Sequence, residues 1–285
     1  MNGGYANSGM PVSLSLVSSL LSRCDLRDSP AVLLFGEPRV IAGGISLRVP
    51  DGSKRLLAFV ALGPETVDRR YAAGSLWPAG SDKHAAGSLR SALWRLKSAG
   101  IDVLESDQRT LALRRAAVVD VRVACEWAGR LVRGCPAPDD LGAVSWRGDC
   151  LDLLPGWSED WVILEREHVR QRLLHALEAL SRHLAAAGRH AEAVDAAVWA
   201  VSAGPLRESA VRVLIEAHLA EGNLIEARRI YQAYSDAVRR ELGVEPGRQL
   251  AGLVRAAIRP RNGSHADVSA ARQPASSDGR SARRM

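Results

Sequence analysis

Arg90, Trp94 and Arg95 lie within Ser81–Ala99, a run whose spacing predicts a helix, and together they offer the chemistry of polyanion recognition. A guanidinium donates in a planar fork that matches phosphate oxygens and guanine edges. At 100° per residue, Ala85, Leu89, Ala92, Leu93 and Leu96 fall on one side, a face that can pack on neighbouring helices. The opposite arc presents His84, Gly87, Arg90, Ser91, Trp94, Arg95 and Ser98, with Lys83 joining it near the start. Donors and small residues on one arc are what a helix lying in a major groove requires. The same arc is also compatible with an ordinary solvated face carrying an arginine pair. Trp94 either meets a ligand or packs beneath a neighbouring hairpin. Arg109, at the tip of a predicted turn, suits a phosphate or minor-groove contact, or is a plain turn residue.

Catalytic chemistry has no comparable set. The chain lacks G-x-x-x-x-G-K-[ST], H-E-x-x-H and G-x-S-x-G, and no G-x-G-x-x-G opens a helix after a strand. His168, His175 and His183 share one predicted helix, but neither a carboxylate nor a cysteine completes a metal-ligand set beside them. The expectation is a protein that is not an enzyme and needs no cofactor or metal.

The elements around the arginine helix read as a winged helix-turn-helix. Val32–Leu34, Arg39–Ile41 and Ile45–Arg48 are β-prone, with Gly43-Gly44 at a hairpin turn. Helices are predicted at Ser53–Leu62, at Thr66–Leu76 with Thr66 as cap, and at Ser81–Ala99. Val103–Glu105 and Thr110–Leu113 then alternate around Ser106–Arg109 as a closing hairpin. Beyond it the chain is helical. A helix is predicted from Asp120 to Arg133, and a long one capped by Ser158 runs to Ala187. Shorter ones follow at Ala191–Ala203, Arg207–Glu221, Leu224–Leu242 and Gly247–Ile258. Gly188, Glu192 and Ala193 recur as Gly222, Glu226 and Ala227, displaced by the 34-residue tetratricopeptide period. Units of that kind bury their apolar stripe by stacking, and the stack presents a surface suited to protein.

Charge follows the same division. Ala31–Ala124 carries 14 Lys/Arg against 9 Asp/Glu, whereas Cys125–Ile258 carries 16 against 19. The positive field therefore lies mainly with the arginine helix and points to a phosphate polyanion as partner. The four cysteines (Cys24, Cys125, Cys135 and Cys150) form no C-x-x-C pair, which fits a reducing cytoplasm. No apolar run approaches the roughly 20 residues that span a bilayer. The expected organisation is a disordered leader at 1–30, a winged domain at 31–122, a tetratricopeptide-like domain at 123–258 and a disordered basic tail at 259–285. The fold class is mainly α with a small β component.

The chain resembles the Streptomyces antibiotic regulatory protein (SARP) family over Val32 to Ile258. In the first half the resemblance rests on Leu33-Leu-Phe-Gly36, Leu76-Trp-Pro78 and Ser88-Leu-Arg-Ser-Ala-Leu-Trp-Arg-Leu-Lys97. In the second it rests on Leu154-Pro-Gly-Trp-Ser-Glu-Asp-Trp161, Leu164-Glu-Arg-Glu167, Glu208-Ser-Ala210 and Glu241-Leu-Gly-Val-Glu-Pro246. It implies an OmpR-type winged helix joined to a bacterial transcriptional activator domain, in the small two-domain form. It also implies binding to direct repeats of promoter DNA, with a homodimer on DNA and recruitment of RNA polymerase holoenzyme through its sigma subunit. The regulated genes would be biosynthetic or developmental. On this analogy Arg90, Ser91, Trp94 and Arg95 take DNA-contacting positions. The wing departs from the family's Gly-Tyr-Arg-Leu-like element, reading Gln108-Arg-Thr-Leu-Ala-Leu113. The competing expectation is a tetratricopeptide-like adaptor whose winged domain does not bind DNA specifically.

Overall fold

The computed structural model describes residues 16–24, 29–142 and 152–258. The chain is mainly helical with two small sheets, a winged helix-turn-helix followed by an α-helical tetratricopeptide-like region. A four-stranded sheet opens the first half in the order β3-β2-β1-β7, from β1 (Ala31–Leu33), β2 (Arg39–Ala42), β3 (Ile45–Arg48) and β7 (Val118–Val119). Strands β2 and β3 close as the predicted hairpin, with Gly43 and Gly44 at φ +56° and +76°, a region open to glycine at no steric cost.

Three helices follow: α2 (Asp51–Leu62), α3 (Arg69–Leu76) and α4 (Asp82–Ser98). Leu56, Val60, Ala72, Leu76, Ala85, Leu89 and Ala92 from the three, with Val67 and Leu111, form a core of their own. A second sheet, β4-β6-β5, joins β4 (Thr66–Asp68), β5 (Leu104–Ser106) and β6 (Thr110–Leu113). Here the structure differs from the sequence expectation. Thr66 does not cap a helix but pairs with Ala112 across the sheet, and Asp68 caps α3 instead. The Asp68 carboxylate accepts from the backbone N–H of Arg70 (2.8 Å) and Tyr71 (2.9 Å), satisfying two donors that a helix start leaves open.

The second half is built from α5 (Asp120–Val132), α6 (Asp160–Ala186), α7 (His190–Ala203), α8 (Glu208–Glu221), α9 (Leu224–Leu242) and α10 (Arg248–Ile258). Helix α6 begins at Asp160 with Glu159 in the flanking position, so Ser158 is not its cap. The 34-residue repeat has a structural counterpart. Gly188 and Gly222 both hold left-handed conformations at φ +74° and +87°, and Ala193 and Ala227 are both buried where paired helices approach. Glu192 and Glu226 each pair with an arginine on the same turn, Arg189 and Arg229. In the interior of this half, Glu178 accepts from Arg207 Nε (2.6 Å) and Ser209 Oγ (2.7 Å).

Beside the separate core of the three helices, the two halves share one cluster. The boundary expected at residue 122 falls inside α5, whose Trp127, Ala124 and Leu131 pack in the same cluster as Val32 and Leu34 of the first half and Leu173 and Leu177 of the second. Asp152–Leu154 crosses back onto the first sheet: Gly36 N–H donates to Asp152 O (3.0 Å) and Leu154 N–H to Leu34 O (3.1 Å). Arg166 holds that segment by donating to the carbonyls of Leu153 and Trp157 (2.8 and 3.2 Å). The leader is not wholly without structure. Leu16–Leu21 forms a short helix, α1, whose Leu16 and Leu20 are buried in this shared cluster, an apolar i,i+4 pair that ordering places against α5. Residues 1–15 and the expected basic tail at 259–285 lie outside the described residues, as does Cys150.

Asp120 sits at the seam, where its buried carboxylate accepts from the backbone N–H of Leu34 (2.8 Å), Phe35 (3.0 Å) and Val121 (2.7 Å). Burial pushes its pKa up to about 6, against the opposing pull of those donors. A folded-state value above the unfolded one makes the ionised form the unfavourable one. The group therefore favours folding most below about pH 4, and that contribution is lost as pH rises through about 6. The unfolding free energy of the native chain relative to Asp120→Asn is expected to fall between pH 4 and pH 7, by an amount on the order of 2 kcal/mol. A difference that stays flat across this window would show that burial leaves the carboxylate's pKa at its unfolded value.

Candidate nucleic-acid interface

Helix α4 is braced from behind and open in front. Ala85, Leu89, Ala92 and Leu96 are buried, whereas Lys83, His84, Arg90, Ser91, Trp94 and Arg95 are exposed and Gly87 is half-buried. Leu93, expected in the packed face, lies half-buried at its edge. The outward residues divide into two rows. Lys83, Gly87, Arg90 and Trp94, spaced 4, 3 and 4 apart, run along the side opposite the buried leucines. Trp94 is 69% exposed there, so it does not pack beneath the wing. His84, Ser91 and Arg95 form a second row turned toward α2, where Arg95 Nη1 reaches the carbonyl of Gly52 (3.4 Å). A side chain on Gly52 would collide with that guanidinium, so the glycine gives Arg95 its place.

Ser53 fixes the angle between the first and third helices. Its buried hydroxyl donates to the carbonyl of Ala92 (2.8 Å), locking α4 against the start of α2. Ser81 opens α4, its hydroxyl oxygen accepting from the N–H of His84 (3.4 Å). The free N–H groups and dipole of this end add a partial positive charge beside Lys83.

The wing stands beside this helix. In its turn the Asp107 carboxylate accepts from the backbone N–H of Thr110 (2.6 Å) and Arg109 (2.7 Å) and from Thr110 Oγ1 (2.9 Å). Those bonds, with Thr110's backbone donor foremost, hold the Asp107 pKa below the usual carboxylate range and spend its charge on the turn. Arg109 is thereby left exposed at the tip. Arg69, the first residue of α3, anchors the hairpin: its N–H donates to Arg109 O (2.8 Å), and its guanidinium donates to Asp107 O (2.9 Å) and to Ser106 Oγ. Sequence reasoning did not find Arg69 or Arg70. Between the start of α3, the first turns of α4 and the wing tip lies a cleft of about 1010 Å³, into whose rim Arg69, Arg70, Lys83 and Arg90 project. Of the expected residues the cleft gathers Lys83 and Arg90; Gly87 and Trp94 continue their row along α4, His84, Ser91 and Arg95 stand on the α2 flank, and Arg109 is exposed at the wing tip.

Among the described residues no group of three or more His, Cys, Asp or Glu side chains could hold a metal ion, and no helix is long and apolar enough to cross a membrane.

Residues 139–259 match the family of the bacterial transcriptional activator domain. Among solved structures, Mycobacterium tuberculosis EmbR in complex with low affinity phosphopeptide is similar, with a TM-score of 0.62 and 19% sequence identity over 80% of this chain and 65% of that one. At that identity the likeness establishes the fold. This chain spans less than two thirds of EmbR's length. No curated protein matches the sequence.

Proposed function

With a bacterial transcriptional activator domain set behind a winged helix-turn-helix, the chain is of the SARP type, and from that premise we propose that it is a sequence-specific, DNA-binding transcriptional activator. The observation that carries this reading is the outward row of α4. Lys83, Gly87, Arg90 and Trp94 face away from the core in the positively charged half, with the wing and its exposed Arg109 alongside. A helix so presented fits a major groove, with the wing laid on the adjoining backbone. The activator region then contacts RNA polymerase holoenzyme, through its sigma subunit, or a second copy of the chain bound to the neighbouring direct repeat. The genes served are a biosynthetic or developmental set, and the protein works in the cytoplasm.

The experiment is a footprint across the native genome, with and without polymerase holoenzyme. Protection of tandem sites spaced by one helical turn or a multiple of it, extended by the enzyme, is expected. Affinity for such a site should fall steeply with salt, because each phosphate contact releases counterions. Arg95→Ala is expected to cost about 1 kcal/mol in a gel-shift titration. Equal affinity for any duplex, with a protein partner co-purifying, would instead identify an adaptor.

A further inference from the structure

Away from the DNA-facing surface, α5 and α6 enclose a second basic cleft of about 850 Å³, within the size range of roughly 300–1,000 Å³ typical of small-molecule sites. Its polar lining converges from both helices: Arg122, Cys125, Glu126 and Arg133 from α5, Arg172 and His175 from α6. Ala128, Gly129 and Val132 supply an apolar floor. The charge balance is unusual for this half of the chain, where acidic residues outnumber basic ones. Arg130 also borders the cleft but is neutralised by Asp140 through two bonds of 2.7 and 2.8 Å.

The remaining three arginines have no carboxylate partner among the described residues. Arg122 donates to the carbonyls of Ala61 (3.1 Å) and Gly63 (3.0 Å), which place its guanidinium without cancelling its charge. Arg172 leans on the half-buried Cys125 thiol, a weak acceptor. Arg133 folds back along its own helix, and Gly129 makes this possible, since a Cβ there would stand 3.0 Å from Arg133 Nη1. Against three guanidinia the cleft sets one carboxylate, Glu126. Like charges gathered on two packed helices repel unless an anion lies between them.

We propose that this cleft is a binding site for a small organic anion carrying at least two negative charges, as phosphate or carboxylate groups, on a partly apolar body. Arg133 and Arg172 grip the charged groups from opposite helices, with Arg122 completing the set, and the apolar floor receives the body. Guanidinium forks suit both oxyanion types through paired N–H donors. Because α5 leads out of the first sheet and α6 carries the activator region, the ligand links the two halves.

The test is thermal unfolding of the full chain with pyrophosphate or citrate, against sodium chloride at matched ionic strength. Saturation by at least one probe is expected to raise the midpoint by about 3 °C or more, the pyrophosphate arm reporting phosphate chemistry and the citrate arm carboxylate chemistry. The Arg133→Ala/Arg172→Ala double variant and the charge reversal Arg172→Glu should lose the shift while keeping duplex affinity and a ligand-free midpoint at or above the native one, since both side chains are exposed and their mutual repulsion is relieved. No shift beyond the chloride control, or an equal shift in both variants, would overturn the proposal. So would loss of duplex affinity in the double variant on the scale of an α4 variant, which would make the cleft part of the DNA-binding surface.

Discussion

Arg90→Ala is expected to weaken binding to the native duplex site by about 1–3 kcal/mol, roughly 5- to 150-fold, without changing the thermal midpoint. Arg90 lies in the row opposite the buried Leu89 and Ala92, is exposed, and forms no ion pair among the described residues. Its removal thus costs the fold little, while docking loses a charged fork. Trp94 strengthens the comparison. With 69% of its surface in solvent, its indole gains most of its burial when α4 docks, so Trp94→Ala should fall in the same affinity range. Arg95, partly committed to the Gly52 carbonyl, should sit at the lower end. If Lys83 and Arg90 both contact phosphate, the Lys83→Ala/Arg90→Ala double variant lowers the salt slope by about 2. Should Arg90→Ala and Trp94→Ala both bind the native site as tightly as the parent chain, the outward row does not read DNA.

Much of this interface was legible because α4 repeats its apolar residues every three or four positions over nearly five turns, a signal that local physics alone produces. The 34-residue echo was legible for a related reason: a left-handed glycine and a buried alanine recur at the α6–α7 and α8–α9 turns. Failures cluster where distant pairing decides. Thr66-Val-Asp68 is too short to declare itself a strand, and only its ladder with β6 makes it one. Arg69 is just another charge in sequence, since the wing groups it anchors lie 37 and 38 residues away. Leu16 and Leu20 had the spacing of a helix face, but the Ser-rich surroundings hid it, and α5 supplies the partner that orders it. Leu154 is the hardest case. Its φ of +48° is one that sequence does not forecast for a leucine, and the shared core and the hold of Arg166 impose it.

That shared core yields the largest effect on stability. Trp127→Ala is expected to destabilise the chain by about 3–5 kcal/mol, the range for emptying a buried aromatic site. Trp127 is fully buried in the cluster that joins α1, the first sheet, α5, α6 and α7. Its Nε1 donates to the carbonyl of Asp140 (3.3 Å), which α5 holds in turn through Arg130. Truncation would leave a cavity and an unpaired buried carbonyl at the point where the two halves meet. Such a loss is a large share of the roughly 5–15 kcal/mol that typical proteins possess, and it should lower the midpoint by about 10 °C. Trp94→Ala serves as the internal control, the same chemical deletion on an exposed face. Because no interface separates two cores at Trp127, both halves should melt in one transition, in the parent and in the variant alike. Two resolved transitions, with the winged half unmoved by Trp127→Ala, would show that the halves fold independently. The position of the activator region relative to DNA would then be set by a hinge and not by packing.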